Sequence, residues 1–198
     1  MKNQRTQIIV EIALCVALST ALNFVAMRLP LNIAGGSISL TMLPIAVIAL
    51  RRGPLIGALA GAAFGVIDLL MDPYIFVPAQ VMLDYPVPYL LLGLGVGVFS
   101  SAYNARKPVQ LSDGKKAPSR LLAMRSTVTI LALVVGGALR FISHLFSGVV
   151  FFAEYAGGQN VWIYSAVYNI SYLAPSLAAV AVCALIVMPV LDSAAPVS

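Results

Sequence analysis

The chain has 198 residues and a net charge of +5, and 61% of its residues are hydrophobic while only 10% are charged. A soluble globular domain is only about half apolar, so this composition excludes a soluble protein and predicts an integral membrane protein. A multi-histidine metal site and a Cys-x-x-Cys centre are excluded too, because the chain has one histidine and its two cysteines, Cys15 and Cys183, lie in separate apolar stretches.

Six apolar stretches predict an all-α, polytopic protein with six transmembrane helices. A helix that crosses a bilayer needs about 20 residues, with a range of roughly 17 to 25. The second stretch is shorter; it reaches that length only if it starts in the Ala34-Gly35-Gly36 segment, and otherwise it does not fully cross. The predicted spans are Ile8–Met27, Ile38–Leu50, Leu55–Met71, Val81–Ala102, Val128–Phe151 and Ser165–Leu191.

The distribution of charge predicts the topology. Ten of the twelve Lys and Arg residues lie at the N-terminus, between spans two and three, or between spans four and five. Basic loops of this length stay in the cytoplasm, so both termini are predicted to be cytoplasmic. The single domain, residues 1–198, then carries a flexible basic cytoplasmic loop over residues 103–124. Acidic residues collect at the outer side, which favours a cationic ligand: Asp68, Asp72, Asp84 and Glu154.

Two features occur early in the chain. Ala13 and Ala17 in span one form a small-x-x-x-small face that lets another helix approach closely, although such spacing also arises by chance in an alanine-rich chain. The external segment Leu31–Ser37 is rich in glycine and is either a lid over a site or a plain turn.

Leu83-Asp84-Tyr85 at the outer start of span four places a carboxylate beside a phenol, which suits a cationic, hydrogen-bonding ligand. The structural alternative is that Asp84 caps the first turn of a helix, where the helix dipole favours an anion, and that Tyr85 belongs to an interfacial aromatic belt.

Arg140 and His144 are four residues apart in span five and therefore share one face of the helix. Ionisable residues in a membrane helix face the bundle interior or a cavity. These two belong either to a binding site or to an internal ion pair with Asp68 or Asp84 that holds helices together.

Span six begins near Tyr164, and Asn169 follows five residues later. The Asn169 amide offers a donor and an acceptor, as an aminopyrimidine edge requires; an interhelical hydrogen bond is the alternative. Aromatic side chains on the outer half of the bundle can stack a ring or hold a cation, although aromatic belts are common in membrane proteins: Phe64, Tyr74, Phe151, Phe152, Tyr155 and Trp162.

Short motifs follow one another along nearly the whole chain: Glu11-Ile12-Ala13, Leu50-Arg51-Arg52-Gly53, Leu83-Asp84-Tyr85, His144-x-x-x-Gly148, Tyr155-Ala156 and Tyr164-Ser165 with Asn169. In this order they resemble the thiamine-specific S components of energy-coupling factor (ECF) transporters.

The resemblance implies a six-helix protein of the prokaryotic plasma membrane that binds thiamine, or a close relative, on the extracellular side. It implies a T subunit as membrane partner, docked at Ala13 and Ala17, and two cytosolic ATPases that supply energy. It also implies that the chain is no enzyme and uses no cofactor, metal or nucleic acid. The expected ligand-binding residues are Asp84, Tyr85, His144, Tyr164, Asn169, Phe152, Phe64, Tyr74, Arg140 and Trp162.

The chain departs from the family pattern at several positions. Asp84 stands where the family has Glu, Phe64 and Phe152 stand where it has tryptophans, and a further tryptophan expected near Gly35 is missing. Phenyl rings hold cations less well than indole does, which predicts lower affinity or a related pyrimidine ligand.

Two other functions are compatible with the same residues. A solitary secondary transporter could couple to protons through Asp84 and His144, although a chain of this length would have to dimerise to form an inverted repeat. A membrane enzyme could use His144 as a base, but no Gly-x-Ser-x-Gly turn accompanies it.

Overall fold

The computed structural model describes residues 2–28, 32–33, 36–105 and 119–194, and nearly all of them are helical. The described elements are α1 Lys2–Arg28, β1 Asn32–Ile33, β2 Gly36–Ser37, α2 Met42–Arg52, α3 Pro54–Met71, α4 Pro78–Asp84, α5 Pro86–Gly97, α6 Ser100–Asn104, α7 Ser119–Phe151, a 3₁₀ turn Ala153–Ala156 and α8 Val161–Ala194. The predicted all-α membrane architecture is confirmed. Five helical segments of the described chain are long and apolar enough to cross a membrane: α1, α3, α4 together with α5, α7 and α8.

Helix α2 explains why the second predicted span is short. It has 11 residues, so it is about 16 Å long and cannot cross a bilayer alone. It packs against α1, α3, α5, α6 and α8, and its central residues Ile45 and Ala49 have no exposed surface. Because other helices surround it, α2 does not need a full-length apolar surface; a sixth crossing stays a prediction.

Span four is predicted as one helix over Val81–Ala102, but the structure divides it into α4, α5 and α6. Pro86 lacks a backbone N–H and its ring would clash with the carbonyl four residues earlier, and here the helix breaks just before it. Helix α4 ends at Asp84, and α5 starts at Pro86. Asp84 is therefore at the C-terminus of a helix, and its predicted place in a first turn is wrong.

A column of glycines holds α3 against α5. A Cβ atom added to Gly61 would overlap the carbonyl oxygen of Tyr89, and one added to Gly65 would overlap that of Tyr85. Only glycine permits so close a contact between two backbones. The contact fixes the height and rotation of the α5 segment that carries Tyr85 and Tyr89.

Two ion pairs close the end of the bundle that the basic residues assign to the cytoplasm. Glu11 of α1 accepts two hydrogen bonds from the Arg52 guanidinium, at 2.6 and 2.7 Å. The second pair is buried: Arg125 lies 2.5 Å from Asp192, and the Tyr103 hydroxyl donates to the same carboxylate at 2.7 Å. Burial and this carboxylate raise the pKa of the Tyr103 phenol. The second pair ties α6 and α7 to the end of α8.

The basic loop predicted over residues 103–124 is shorter in the structure. Helix α6 continues to Asn104 and α7 begins at Ser119. Polar residues at the start of α7 hid its first turns from a search for apolar stretches. Residues 106–118 lie outside the described part of the chain.

Candidate ligand-binding site

A cavity of about 400 Å³ opens at the end of the bundle opposite the ion pairs. Its walls come from the C-terminal halves of α1, α3 and α7, the N-terminal halves of α5 and α8, and the end of α4. Small-molecule sites have volumes of roughly 300–1,000 Å³, so the cavity suits a compact ligand. Eight of the ten residues expected to bind ligand line it: Tyr74, Asp84, Tyr85, Arg140, His144, Phe152, Tyr164 and Asn169.

The Asp84 carboxylate faces the cavity, and no arginine or lysine of the described chain pairs with it. Its Oδ2 accepts a 2.5 Å hydrogen bond from Nε2 of Gln80, and its Oδ1 lies 3.6 Å from Nδ1 of His144. The C-terminus of α4 also carries a partial negative charge. This wall of the cavity therefore attracts a cation.

His144 lies between Asp84 and Arg140. The Nε atom of Arg140 can only donate, and it points at Nε2 of His144 from 3.4 Å. Because Nε2 must then accept, the ring proton belongs on Nδ1, the atom that faces Asp84. The imidazole in this arrangement is neutral, and at 3.6 Å it lies beside the carboxylate without cancelling its charge.

Arg140 is held by Tyr89. Its Cζ lies 4.1 Å from the centre of the Tyr89 ring, and its Nη2 donates to the Tyr89 hydroxyl at 3.1 Å. Asp68, a second carboxylate that lines the cavity, accepts a 2.6 Å hydrogen bond from Asn23. Among the described residues, neither Asp68 nor Asp84 forms an ion pair with Arg140.

Helix α8 contributes a ladder of phenols and one amide. Tyr164, Tyr168 and Tyr172 follow at four-residue spacing, with neighbouring ring centres 6.3 and 6.0 Å apart. Asn169 donates to the Ser165 carbonyl at 2.9 Å, and its oxygen accepts from the Tyr172 hydroxyl at 2.8 Å. A ligand that bonds to the Asn169 amide must share or replace these partners.

Helices α7 and α8 approach closely at Gly148, where an added Cβ would overlap the Ser165 side chain. This contact explains why the His144-x-x-x-Gly148 and Tyr164-Ser165 motifs occur in one chain: each supplies half of the same helix crossing. The crossing sets the distance between the His144 wall and the tyrosine ladder.

Aromatic side chains meet across the mouth of the cavity. The Phe152 ring lies 6.0 Å from Tyr74, 5.8 Å from Phe76 and 6.0 Å from Tyr155, measured between centres. The hydroxyls of Tyr74 and Tyr155 approach to 3.4 Å, and the Tyr74 hydroxyl raises the pKa of Tyr155. The loop between α3 and α4 thereby touches the 3₁₀ turn after α7.

Tyr85 secures the loop between α3 and α4. Its hydroxyl accepts a hydrogen bond from the Tyr74 backbone N–H and donates one to the Asp72 carbonyl, both at 2.8 Å. The phenol predicted to contact ligand is thus already used by the protein, and its ring forms part of the wall.

The predicted lid, Leu31–Ser37, includes a short antiparallel hairpin in which Asn32 pairs with Ser37 and Ile33 with Gly36. Residues 31, 34 and 35 lie outside the described part of the chain, as does the position near Gly35 where the family has a tryptophan. Ser37 lines the cavity, and the Ser39 N–H donates to Ser176 of α8 at 3.1 Å.

Two expected ligand-binding residues are not at the cavity. Phe64 has no exposed surface and packs edge-on against the Tyr89 ring, with ring centres 4.7 Å apart. Trp162 lies in the first turn of α8 and packs against Phe146. Glu154, part of the predicted acidic side, is exposed in the 3₁₀ turn and does not line the cavity. The aromatic or acidic character of a residue could not show, from the sequence alone, whether its side chain faces the cavity.

The structure adds residues that the sequence did not single out as ligand contacts. The lining includes Asn23, Asp68, Tyr89, Tyr168 and Tyr172. Asn23 and Asp68 are polar residues inside apolar helices, and Tyr168 and Tyr172 continue the spacing of Tyr164, so each carried a signal. The sequence could not show that four different helices bring them together.

Ala13 and Ala17 lie in an apolar groove between α1 and α3, on the outside of the bundle and away from the cavity. Its walls include Val16, Phe24 and Ile67. The small side chains leave room for another apolar helix to approach.

Comparison with known proteins places these features in context. Residues 9–196 match a family model described as "Thiamine transporter protein". A thiamine transporter ThiT of Bacillus subtilis is 32% identical over 189 residues, covering 92% of this chain and 93% of the relative. A thiamine transporter ThiT of Lacticaseibacillus paracasei is 30% identical, covering 85% and 80%. A solved structure of ThiT from Listeria monocytogenes superposes with a TM-score of 0.79 at 25% identity, covering 96% of this chain and 98% of that one.

Proposed function

The chain belongs to the thiamine transporter family, and from this premise we propose that it is the substrate-binding S component of an ECF-type transporter that binds thiamine on the extracellular side. As a family member it is a multi-pass protein of the cell membrane and not an enzyme. The observation that carries the proposal is the Asp84 carboxylate, which faces a 400 Å³ cavity without a lysine or arginine partner among the described residues.

Charge complementarity supports a ligand with one positive charge. Arg140 packs on Tyr89 and donates to it, His144 is neutral in the arrangement described, and no arginine or lysine of the described chain pairs with Asp84, so Asp84 keeps an unbalanced negative charge. A thiazolium ring carries one delocalised positive charge and can lie against this carboxylate. A mostly buried carboxylate without a counter-charge is costly, and a cationic ligand removes that cost.

The remaining side chains suit the other parts of thiamine. Phe152 and Tyr74 offer ring faces at the mouth for stacking, and the tyrosine ladder of α8 flanks the cavity on the other side. Asn169 and Tyr164 supply donors and acceptors for an aminopyrimidine or a hydroxyl. We infer that segment Leu31–Ser37 closes over the bound ligand.

Energy and partners come from other subunits in this proposal. The groove at Ala13 and Ala17 docks the transmembrane T subunit, and two cytosolic ATPases bind the T subunit and drive release into the cell. The groove is apolar and lined by small side chains on α1, which suits a helix of another membrane protein.

The first experiment is calorimetric titration of the purified chain, without partners, with thiamine and with its pyrimidine half. We expect one thiamine per chain, and Asp84→Asn should weaken binding by about 30-fold or more, since a hydrogen-bonded charge contact contributes about 2–3 kcal/mol or more. Binding of the pyrimidine half but not of thiamine would show that this family member has a different substrate. Absence of binding to both would contradict the proposal.

A proton-coupled secondary transporter is the second candidate, because Asp84 and His144 face each other at 3.6 Å in the cavity. It predicts thiamine uptake into liposomes that contain this chain alone, driven by a pH gradient. The ECF proposal predicts no such uptake until the T subunit, the ATPases and ATP are present.

A further inference from the structure

Gln80 is the most deeply buried polar side chain of α4, with 1% of its surface exposed. It lies four residues before Asp84 and therefore on the same face of the helix. It is not among the residues that line the cavity. Because Gln80 is buried and lies outside the cavity, its role must be read from the hydrogen bonds that its amide forms.

Both the oxygen and the nitrogen of the Gln80 amide form hydrogen bonds within the protein. Its Oε1 accepts from the Phe76 backbone N–H at 3.1 Å. Its Nε2 donates to the Tyr74 carbonyl at 3.2 Å and to Oδ2 of Asp84 at 2.5 Å. Rotating the amide by half a turn would put its oxygen against a carbonyl and a carboxylate. The amide therefore has one allowed orientation, and the Asp84 carboxylate is held by it.

We propose that Gln80 is a positioning residue that fixes the Asp84 carboxylate for recognition of a cationic ligand and ties its orientation to the position of the loop between α3 and α4. The inference rests on the proposed function, since it concerns how Asp84 meets the charge of thiamine. Gln80 acts through Asp84 and does not touch the ligand.

A neutral donor is suited to this task. A lysine or arginine in the place of Gln80 would orient the carboxylate equally well but would also neutralise it. The amide directs the carboxylate through Oδ2 and leaves its charge to the ligand. The imidazole of His144 lies 3.6 Å from the other oxygen, beyond hydrogen-bond distance, so Gln80 is the side chain that fixes the orientation of the group.

The same amide holds the loop that forms the mouth. Its bonds to Tyr74 and Phe76 fix the backbone on both sides of Ile75, and the rings of Tyr74 and Phe76 both pack against Phe152. Displacement of the loop must strain or break the bonds of Gln80, and this disturbs Asp84. Orientation of the carboxylate and position of the loop are therefore coupled.

The test compares two ligands on two backgrounds. Gln80→Met keeps the size of the side chain and removes its hydrogen bonds. Calorimetry measures binding of thiamine and of an uncharged analogue in which a neutral aromatic ring replaces the thiazolium. We expect Gln80→Met to weaken thiamine binding roughly 10- to 100-fold, the range for a hydrogen bond to a charged group, and to weaken the neutral analogue by no more than about 3-fold.

The second background is the Asp84→Asn variant. There Gln80→Met should weaken thiamine binding by less than about 3-fold, because the group through which Gln80 acts has lost its charge. Gln159→Ala, at an exposed glutamine beyond the 3₁₀ turn, is the matched control and should leave both affinities unchanged. If Gln80→Met gives no folded protein, Gln80→Asn withdraws the amide by one methylene and is judged by the same two criteria.

Equal losses for the charged and neutral ligands, or the full loss on the Asp84→Asn background, would assign Gln80 a purely structural role and overturn the inference. Failure of the proposed function looks different: the unaltered chain would not bind thiamine, or Asp84→Asn would not weaken it. In either case the inference about Gln80 falls with it.

Discussion

Phe152 lies at the centre of the aromatic cluster at the mouth of the cavity, since Tyr74, Phe76 and Tyr155 all pack against its ring. Indole holds a cation better than phenyl does, and a whole cation–π contact at an exposed position contributes about 0.5–1 kcal/mol, so the gain from the exchange is no larger than this. Phe152→Trp is therefore expected to raise thiamine affinity about 2-fold, and by no more than about 5-fold, in a calorimetric titration. Unchanged or weaker binding would show that this ring does not meet the thiazolium.

Trp162 provides the control for that substitution. It is the one tryptophan of the chain, it is half exposed, and it packs against Phe146 outside the cavity. Trp162→Phe should change affinity less than 2-fold. Combined with Phe152→Trp, it leaves a single indole at the mouth, whose fluorescence should respond to thiamine.

At the level of residues, the sequence predicted those site members that are rare in their surroundings. Asp84 and His144 were found because ionisable groups in apolar helices are expensive. Asp68 was recognised as one of the acidic residues of the outer side and as a possible ion-pair partner, but not as a residue of the cavity wall. Gln80 was missed because nothing in the sequence shows which backbone groups a buried amide will meet. Phe64 was assigned to the site by family resemblance, but its ring faces the core between α3 and α5.

At the level of elements, the glycine contact between α3 and α5 determines the shape of the cavity wall. Gly61→Ala should destabilise the protein by about 3 kcal/mol or more, because the added methyl group meets a backbone carbonyl that cannot move aside. Thermal unfolding in detergent measures the effect. Tyr89 would also shift, so thiamine affinity should fall with stability.

Gly137→Ala is the matched control. A Cβ at that position meets the far end of the flexible Leu177 side chain, 2.8 Å away, and no backbone within 4 Å among its nearest contacts. The substitution should cost less than about 1 kcal/mol. Equal effects at Gly61 and Gly137 would argue against the close contact of α3 and α5.

The elements were predicted to different degrees. The ends of α3 agree with the apolar stretch Leu55–Met71 within a residue, since Pro54 and Asp72 bound it. Pro86 and Pro88 follow Tyr85 inside the predicted span four, but apolar content alone could not place the break between α4 and α5. The length of α2 could be questioned from the sequence, whereas its enclosure by five other helices, α1, α3, α5, α6 and α8, could not be predicted.

At the level of the whole molecule, the buried pair of Arg125 and Asp192 holds the predicted cytoplasmic end together. Asp192→Asn should destabilise the protein by about 3–5 kcal/mol, because a buried guanidinium loses its counter-charge. Thiamine affinity of the folded protein should be unchanged, since the pair lies at the end opposite the cavity. Thermal unfolding and titration of the same sample separate the two effects.

Replacing both partners should behave differently. In Arg125→Met combined with Asp192→Leu, no charge remains buried, so most of the lost stability should return. Glu11→Gln at the partly exposed pair with Arg52 should cost only about 1 kcal/mol or less. A small effect of Asp192→Asn would mean that water reaches Arg125.

The outer face of α1 offers a test of assembly. Ala17→Trp fills the groove between α1 and α3, so it should abolish thiamine uptake in cells that supply the T subunit and the ATPases. Thiamine binding by the isolated chain should stay unchanged, since Ala17 is away from the cavity. Leu18→Trp, a substitution at the neighbouring exposed residue outside the groove, is the control.

The contact between Tyr74 and Tyr155 bridges the mouth from the α3–α4 loop to the 3₁₀ turn after α7. A ligand that passes between these rings requires the two segments to separate. Affinity differences among variants of one binding surface arise mostly in dissociation rates. Under the proposed function, loosening this contact is therefore expected to shorten the residence time of bound thiamine more than it changes the association rate.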